Sequence, residues 1–301
     1  VNPLGQSLGT KLVDQLAPRV LTPAFAFWAG GALVVWTAGY GRSWFDGLRT
    51  LSTAQQLVLL AGVLALIAGS AVVAEYLTLA VLRFLEGHWV ITRPLRGLQK
   101  RRLNRLENRL QVLSGKAFRG DLTASRKLTA VEQRLHDMPA RPSLLPTRLG
   151  NILRAAEDRP RDRHGLDPVA CWPHLWLSLD KEVQQELTQS RRALDDGARL
   201  WLWSLLFASW TWAWWWAPVV TVVGCAGSYY GVLLARARAY GQLMQAAFDL
   251  YRWRIYEALK WPVPEEPDEE RETGEAVTTY LWRGIAPPGT RYTGRQEQAD
   301  A

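Results

Sequence analysis

Thirty-six consecutive residues, Leu200 to Ala235, carry no charged side chain. A soluble core rarely needs so long an uncharged segment, and a bilayer demands one. The first half holds seven tryptophans: Trp201, Trp203, Trp210, Trp212, Trp214, Trp215 and Trp216. As one helix the block would reach ~54 Å, against a hydrocarbon layer of ~30 Å. Splitting it at Ala217-Pro218 gives two runs of 17 residues, with Pro218 suited to a turn. The alternative is one tilted span with a helical extension outside the membrane.

Two further apolar blocks precede it. Ala24 to Tyr40 is uncharged over 17 residues, and Leu57 to Ala74 over 18, with apolar character continuing to Leu82. The first begins only after about twenty mixed residues, which is long for the leading part of a signal peptide, so a first spanning helix is expected. Residues 1–23 suit a short amphipathic helix on a membrane surface, interrupted by Pro18 and Pro23. Ser52 or Thr53 is placed to cap the second helix. Glu75 interrupts the second block. If the span starts at Leu57, Glu75 falls at the far interface. If it is shifted toward Leu82, the carboxylate lies inside the bilayer, where it would be functional. It has no second intramembrane charge as partner.

The net charge is +8. Basic flanks mark the cytoplasmic side of a span and meet anionic lipid headgroups there. Arg236 and Arg238 follow the last block at once, and the region before Leu200 is also basic. Both flanks on one side require an even number of crossings, which favours a hairpin and four spans. Residues 83–127 hold twelve Lys or Arg against three acids. There Leu103, Leu106, Leu110 and Leu113 recur at helical spacing among Arg101, Arg102, Arg105 and Arg109. Such a helix packs on the rest of its domain, lies on anionic lipid, or binds nucleic acid. The last is disfavoured because no aromatic residue is interleaved for base stacking.

Further along, Ala117 to Pro146 is polar and ends in a proline-rich loop, and Thr147 caps a helix expected over Arg148 to Glu157. Residues 156–168 alternate acids and arginines and close in turn residues. Helix resumes after Asp180, and an apolar stripe continues to Trp261, where Pro262 and Pro264 end it. Glu265 to Glu275, with seven acids and one arginine, reads as a flexible linker. Thr278 to Trp282 is a docking motif or the last turn of the fold.

No phosphate-binding glycine loop, metalloprotease helix, paired-cysteine motif or nucleophile elbow is present. Asp162, His164 and Asp167 place an imidazole beside two carboxylates, the weak catalytic candidate; a solvated salt-bridged turn is the ordinary reading. Cys171 and His174 share a helical spacing, but two ligands do not make a metal site and Pro173 intervenes. His88 sits just past the second helix as a terminal polar residue. The tryptophans line a lipid- or quinone-like ligand, or anchor the chain at the interfaces. Anchoring at the headgroup level fits Trp212, Trp214, Trp215 and Trp216 at one face and Trp201 and Trp203 at the other. No cofactor is implied.

The segments TRLGNILRAAEDRPRDRHGLD (147–167) and AAFDLYRWRIYEAL (246–259) resemble uncharacterised multi-pass membrane proteins of high-GC actinobacteria. The resemblance implies membrane residence and no particular activity. The sequence therefore leads to an all-α integral membrane protein of the plasma membrane. It would have residues 1–86 with spans near 24–40 and 57–82, a basic cytosolic helical domain at 87–199, a transmembrane hairpin at 200–235, and a cytosolic helix and tail at 236–301. The expected role is a non-enzymatic interaction or signalling component. Its partners would be the bilayer, anionic headgroups, and a protein or a second copy. An oligomeric channel or pore is the alternative, and a membrane-bound enzyme the third reading.

Overall fold

A computed structural model describes residues 23–39, 51–89, 92, 94–288 and 290. The expected surface helix over residues 1–23 lies almost wholly outside them. Every regular element among the described residues is a helix. The chain divides into two compact units: residues 1–84 with 193–235, here the apolar unit, and residues 85–192 with 236–301, the polar unit.

The apolar unit begins with α1, Pro23–Thr37. Helix α2, Thr53–Glu86, starts at a capping box. Ser52 Oγ accepts from the Gln55 amide at 3.4 Å, and Gln55 Oε1 accepts from the Ser52 amide at 2.9 Å. One stripe of α2 faces inward: Ile67, Ala71, Ala74, Thr78 and Leu82 are buried. The other faces carry Leu57, Val58, Leu60, Leu64, Val73 and Leu77 outward and exposed.

Four spans were expected; among the described residues two helices are long and apolar enough to cross a membrane, α2 and the continuous helix Ala217–Tyr251. Two of the expected spans differ for separate reasons. Helix α1 is apolar but has only 15 residues. Residues 200–216 do not form their own helix. Their first turns belong to the long helix Lys181–Leu206, which tightens to a 3-10 helix over Phe207–Trp212 before the chain turns.

Close approaches fix the register of this unit. Ala24 shares a core with Ile67, Ala71, Ala74, Leu202 and Trp203. Trp28 Nε1 donates to Ser70 Oγ at 3.1 Å. A Cβ on Gly30 would lie 3.3 Å from the Phe207 ring, and one on Gly31 only 2.0 Å from the Trp210 indole. Gly31 is there because nothing larger fits beneath Trp210. A Cβ on Gly224 would meet Ser204 Cβ at 3.1 Å, and Cys225 Sγ lies 4.0 Å from the Trp201 carbonyl. The chain has therefore reversed between them. The reversal occupies residues 213–216, and Pro218 sits in the first turn of the next helix rather than in the turn itself. There its missing N–H costs nothing. That next helix has α-helical ends, Ala217–Gly227 and Leu234–Tyr251, around a π-helical turn at Ser228–Leu233.

In the polar unit, numbered on from α2, α3 (Leu95–Phe118) and α4 (Leu122–His136) form a helical hairpin. Residues 117–146 are polar and end in a proline-rich loop, and half of them form α4. Asp121 caps it, accepting from the Thr123 and Ala124 amides at 2.9 and 3.1 Å. Leu103 and Leu106 pack with Val131, Met138 and Leu144, with Leu110 and Leu113 against them, so the leucine stripe is internal. Helix α5 runs Arg148–His164, past the expected end at Glu157 and through Pro160. An interior proline costs about 3 kcal/mol. Burial of Ala155, Ala156, Pro160 and His164 on one face offsets it. Gly165, at φ 70°, ends the helix.

Helix α6 is Pro168–Ser178 and α7 is Lys181–Leu206. With α8 as Ala217–Gly227 and α9 as Leu234–Tyr251, α10 is Trp253–Leu259 and α11 is Pro267–Arg283. The expected acidic linker is the start of α11. Its acids fall where the helix N-terminus favours negative charge, and Val277 further along is fully buried. Thr278 to Trp282 is accordingly part of the same helix, with Tyr280 and Leu281 packed against the core and Trp282 exposed. Leu166, Cys171 and Leu175 from one half of the unit pack with Phe248, Ile255, Tyr256 and Val277 from the other. Each such side chain contributes ~1.5–3 kcal/mol on burial.

Candidate functional site

The most concentrated polar chemistry in the polar unit lies where α5, α9 and α11 meet. His164 is 8% exposed at the end of α5. Its Nε2 is 2.9 Å from Asp249 Oδ1 on α9, and its Nδ1 is 2.9 Å from Glu270 Oε1 on α11, though poorly aligned for a hydrogen bond. Arg252, between α9 and α10, donates its Nε to the same Glu270 oxygen and an Nη1 proton to the Asp249 carbonyl. Arg163 Nη1 reaches Asp249 Oδ2 at 3.3 Å. A histidine between two carboxylates is thus closed in by two guanidiniums.

Two glycines allow this. A Cβ on Gly274 would lie 1.8 Å from the His164 carbonyl oxygen, and one on Gly165 2.1 Å from the Arg271 carbonyl. Backbone therefore crosses backbone, and Glu270, one turn before Gly274, is brought to His164. One turn after it, Thr278 Oγ1 donates to the Gly165 carbonyl at 2.9 Å and accepts from the Asp167 amide at 3.0 Å.

This corrects the proposed Asp162–His164–Asp167 grouping. Those residues were expected in a turn. Asp162 is exposed on α5, and Asp167 caps α6 by accepting from the Val169 amide at 2.9 Å. The carboxylates that face His164 are Asp249 and Glu270, 85 and 106 positions away, so local spacing had no means of showing them. The only sequence hint was that His164 and Asp249 both lie in the two segments quoted above.

Cys171 and Tyr256 lie in the same core. Burial pushes the Cys171 thiol up to about 11, against a weak contact with Thr278 at 3.8 Å, so it is protonated and unreactive at neutral pH. Tyr256 is pushed well above its ordinary range by burial, then by Glu270 and Cys171. Its hydroxyl is buried without a hydrogen-bond partner. His174 is exposed and bonded to the Ala170 carbonyl at 3.2 Å, whereas Cys171 is fully buried; the two do not face a common point. Among the described residues no group of three His, Cys, Asp or Glu is placed to hold a metal ion. The adjacent cleft is lined by Arg161, Gly165, Asp167, Glu275 and Thr278 among others, and His164 is not part of that lining. The arrangement fits an ion-pair lock joining three helices better than an acid–base centre, which must touch its substrate.

The remaining sequence candidates fall into distinct settings. Glu75, expected to lack a charged partner, has Arg199 Nη1 at 3.8 Å, and Arg199 also pairs with Asp196. The Glu75 side chain is 52% exposed and Arg199 12%. Trp212, Trp215 and Trp216 are exposed and Trp214 half-buried, as anchors would be. Trp203 is not: it is 6% exposed in the core beside Ile67 and Ala71, and its ring lies 5.1 Å from Phe27. Trp201 is half-buried, 6.1 Å from Phe84. Trp203 fills the helix interface, where α2 offers alanines that leave room for an indole, while Trp201 meets a phenyl ring. Arg101, Arg105 and Arg109 are exposed on α3, while Arg102, Arg236 and Arg238 are half-buried. His88 stays near the surface, with Nδ1 3.3 Å from Glu86.

No protein-family model matches this chain, and neither a characterised protein nor a solved structure does.

Proposed function

We propose that the chain is an α-helical membrane protein of the plasma membrane. In this reading the apolar unit crosses the bilayer four times and the polar unit is a cytoplasmic domain that receives a protein partner without catalysing a reaction. One observation carries the membrane part. Helix α2 buries one narrow stripe and leaves large apolar residues exposed over most of its surface, with Val58 73% and Leu60 54% exposed. A face of that kind is unstable in water and ordinary in lipid. The reversal of the chain within the Trp-rich segment, which brings Gly224 back to Ser204, supports a transmembrane hairpin and with it an even number of crossings. Pairing of Glu75 with Arg199, the residue just before the charge-free block, supports an interfacial level for that carboxylate.

The partner role rests on the tip of the α3–α4 hairpin. Phe118 is 94% exposed and Leu122 79%, flanked in sequence by Lys116, Arg119, Arg126 and Lys127. An apolar pair in a basic setting suits an acidic, apolar partner surface. Single-cysteine labelling of intact cells tests the arrangement. A cysteine near residue 214 should react with an impermeant reagent, and cysteines at 122 and 279 only after lysis. Labelling of 279 from outside would end the four-span reading, and release of the chain by alkaline carbonate would end the membrane reading itself. Reconstituted protein should pass no ions; conductance that changes with Glu75→Gln would favour an oligomeric pore.

A further inference from the structure

The polar unit gathers arginines around one carboxylate, Asp137. Arg238 Nε donates to Asp137 Oδ2 at 2.7 Å. Arg134 on α4, Arg148 on α5 and Arg238 on α9 all act electrostatically on Arg102 of α3. Arg102 is half-buried and Arg134 exposed, and neither has a carboxylate within ion-pair distance among the described residues. Burial, and then Arg148, hold the Arg102 guanidinium below its usual range; Arg134 and Arg238 add to this and Asp137 opposes it. Arg102, Arg134 and Arg238 thus gather around one carboxylate, Asp137, which leaves positive charge in excess there and favours a further anion.

A cleft of about 770 Å³ opens beside this group, lined by Thr129, Gln133, Arg134, His136, Arg238 and Gln242, with Glu132 and Asp137 as its acids. One lining residue, His136, is held from behind the lining. Arg159 donates to His136 Nε2 and to the His136 carbonyl, and reaches Gln245 Oε1 at 2.8 Å. The lining thus offers two guanidiniums, two amides and a hydroxyl. No Trp, Tyr or Phe lines it, as stacking on a nucleobase would require. Guanidiniums recognise phosphate through paired, charge-assisted hydrogen bonds.

We propose that this cleft binds a phosphate group, with Arg134 and Arg238 contacting its oxygens and Arg102 adding to the field that holds it. The phosphate belongs either to a free phosphorylated anion or to a lipid headgroup. Only the lipid source rests on the membrane reading, since the cleft is built entirely within the polar unit.

The test uses the full chain in neutral detergent, following its thermal midpoint as inorganic pyrophosphate is added, with sodium chloride at matched ionic strength as reference. Pyrophosphate should raise the midpoint and chloride should not. Loss of one charge-assisted contact corresponds to about tenfold in affinity. Arg134→Gln, at an exposed position that does not threaten folding, should therefore weaken the response about tenfold. Gln242→Glu should abolish it, and Lys127→Gln, outside the lining, should leave it unchanged. In a second arm the chain is placed in nanodiscs of phosphatidylcholine with or without phosphatidylglycerol. Stabilisation by phosphatidylglycerol that Arg134→Gln removes, with pyrophosphate silent, assigns the phosphate to lipid; a pyrophosphate response indifferent to lipid assigns it to a free anion. If wild type, Arg134→Gln and Gln242→Glu respond alike in both arms, or chloride reproduces the effect, there is no such site. Failure to enter nanodiscs would count against the membrane reading alone, because the detergent arm still reports on the cleft.

Discussion

The two units are built on opposite plans. In the polar unit the largest apolar side chains point inward: Phe248, Ile255, Tyr256 and Val277 are fully buried, and charge covers the outside. In the apolar unit the buried stripe of α2 is Ile67, Ala71, Ala74, Thr78 and Leu82, and most of its other leucines and valines face out. Cohesion differs accordingly. The polar unit joins distant segments by buried ion pairs such as Arg252–Glu270. The apolar unit uses rings seated on glycines, such as Trp210 on Gly31, and a side-chain hydrogen bond from Trp28 on α1 to Ser70 on α2. A segment's hydrophobicity thus says little about which face is inside.

The largest effect should come from breaking the lock. Arg252→Met leaves Glu270 buried without its cation, and removing one partner of a buried pair costs about 3–5 kcal/mol. Urea titration should show a polar unit destabilised by that amount. Next is Leu64→Arg on the exposed face of α2. At a water-facing site such a change stays within about 0.5 kcal/mol, whereas a bilayer-facing one costs about 3 kcal/mol of insertion. A membrane-insertion reporter separates the two, and an unchanged insertion level would erase the contrast drawn above.

Glycine substitutions sharpen the comparison further. Gly274→Ala must push α11 away from the His164 carbonyl and should cost about 1–3 kcal/mol, read from thermal unfolding. Gly62→Ala on α2 meets open space. It should stabilise the helix by up to about 1 kcal/mol, since alanine is the better helix former. The smallest effect is titrational. Burial, and then Arg159, hold the His136 imidazole below its ordinary 6.5. The folded state thus prefers neutral His136, whose Nε2 accepts from Arg159. Its contribution is complete above pH 6.5 and is lost as the pH falls below it, so His136→Gln should flatten the stability profile between about pH 6.5 and the depressed folded value.

Much of the helical character was legible because caps and periodicity are local. Ser52, Thr147 and the stripe from Leu103 to Leu113 each declare themselves within a few residues. The acidic stretch from Glu265 misled because composition there resembles a linker, while what folds it is Gly274 meeting the His164 backbone from 110 positions away. Pro160 misled for the same reason, since its cost is local and its compensation is not. Trp203 looked like an interfacial anchor because an indole reads alike at an interface and in a core; only the alanines opposite decide. Asp249 and Glu270 escaped because their bond to His164 joins three separate helices.

The core that joins Leu166, Cys171 and Leu175 to Phe248, Tyr256 and Val277 has a consequence for biosynthesis. The ribosome completes all of the apolar unit, through residue 235, before it has made the second half of the polar unit. At ordinary elongation rates the first half waits on the order of ten seconds with those three side chains uncovered. Helix α11, which supplies Glu270 and Val277, arrives last of the described helices. A nascent chain stalled before it would expose an apolar face and an unpaired Arg252, the kind of surface that quality-control chaperones and proteases engage.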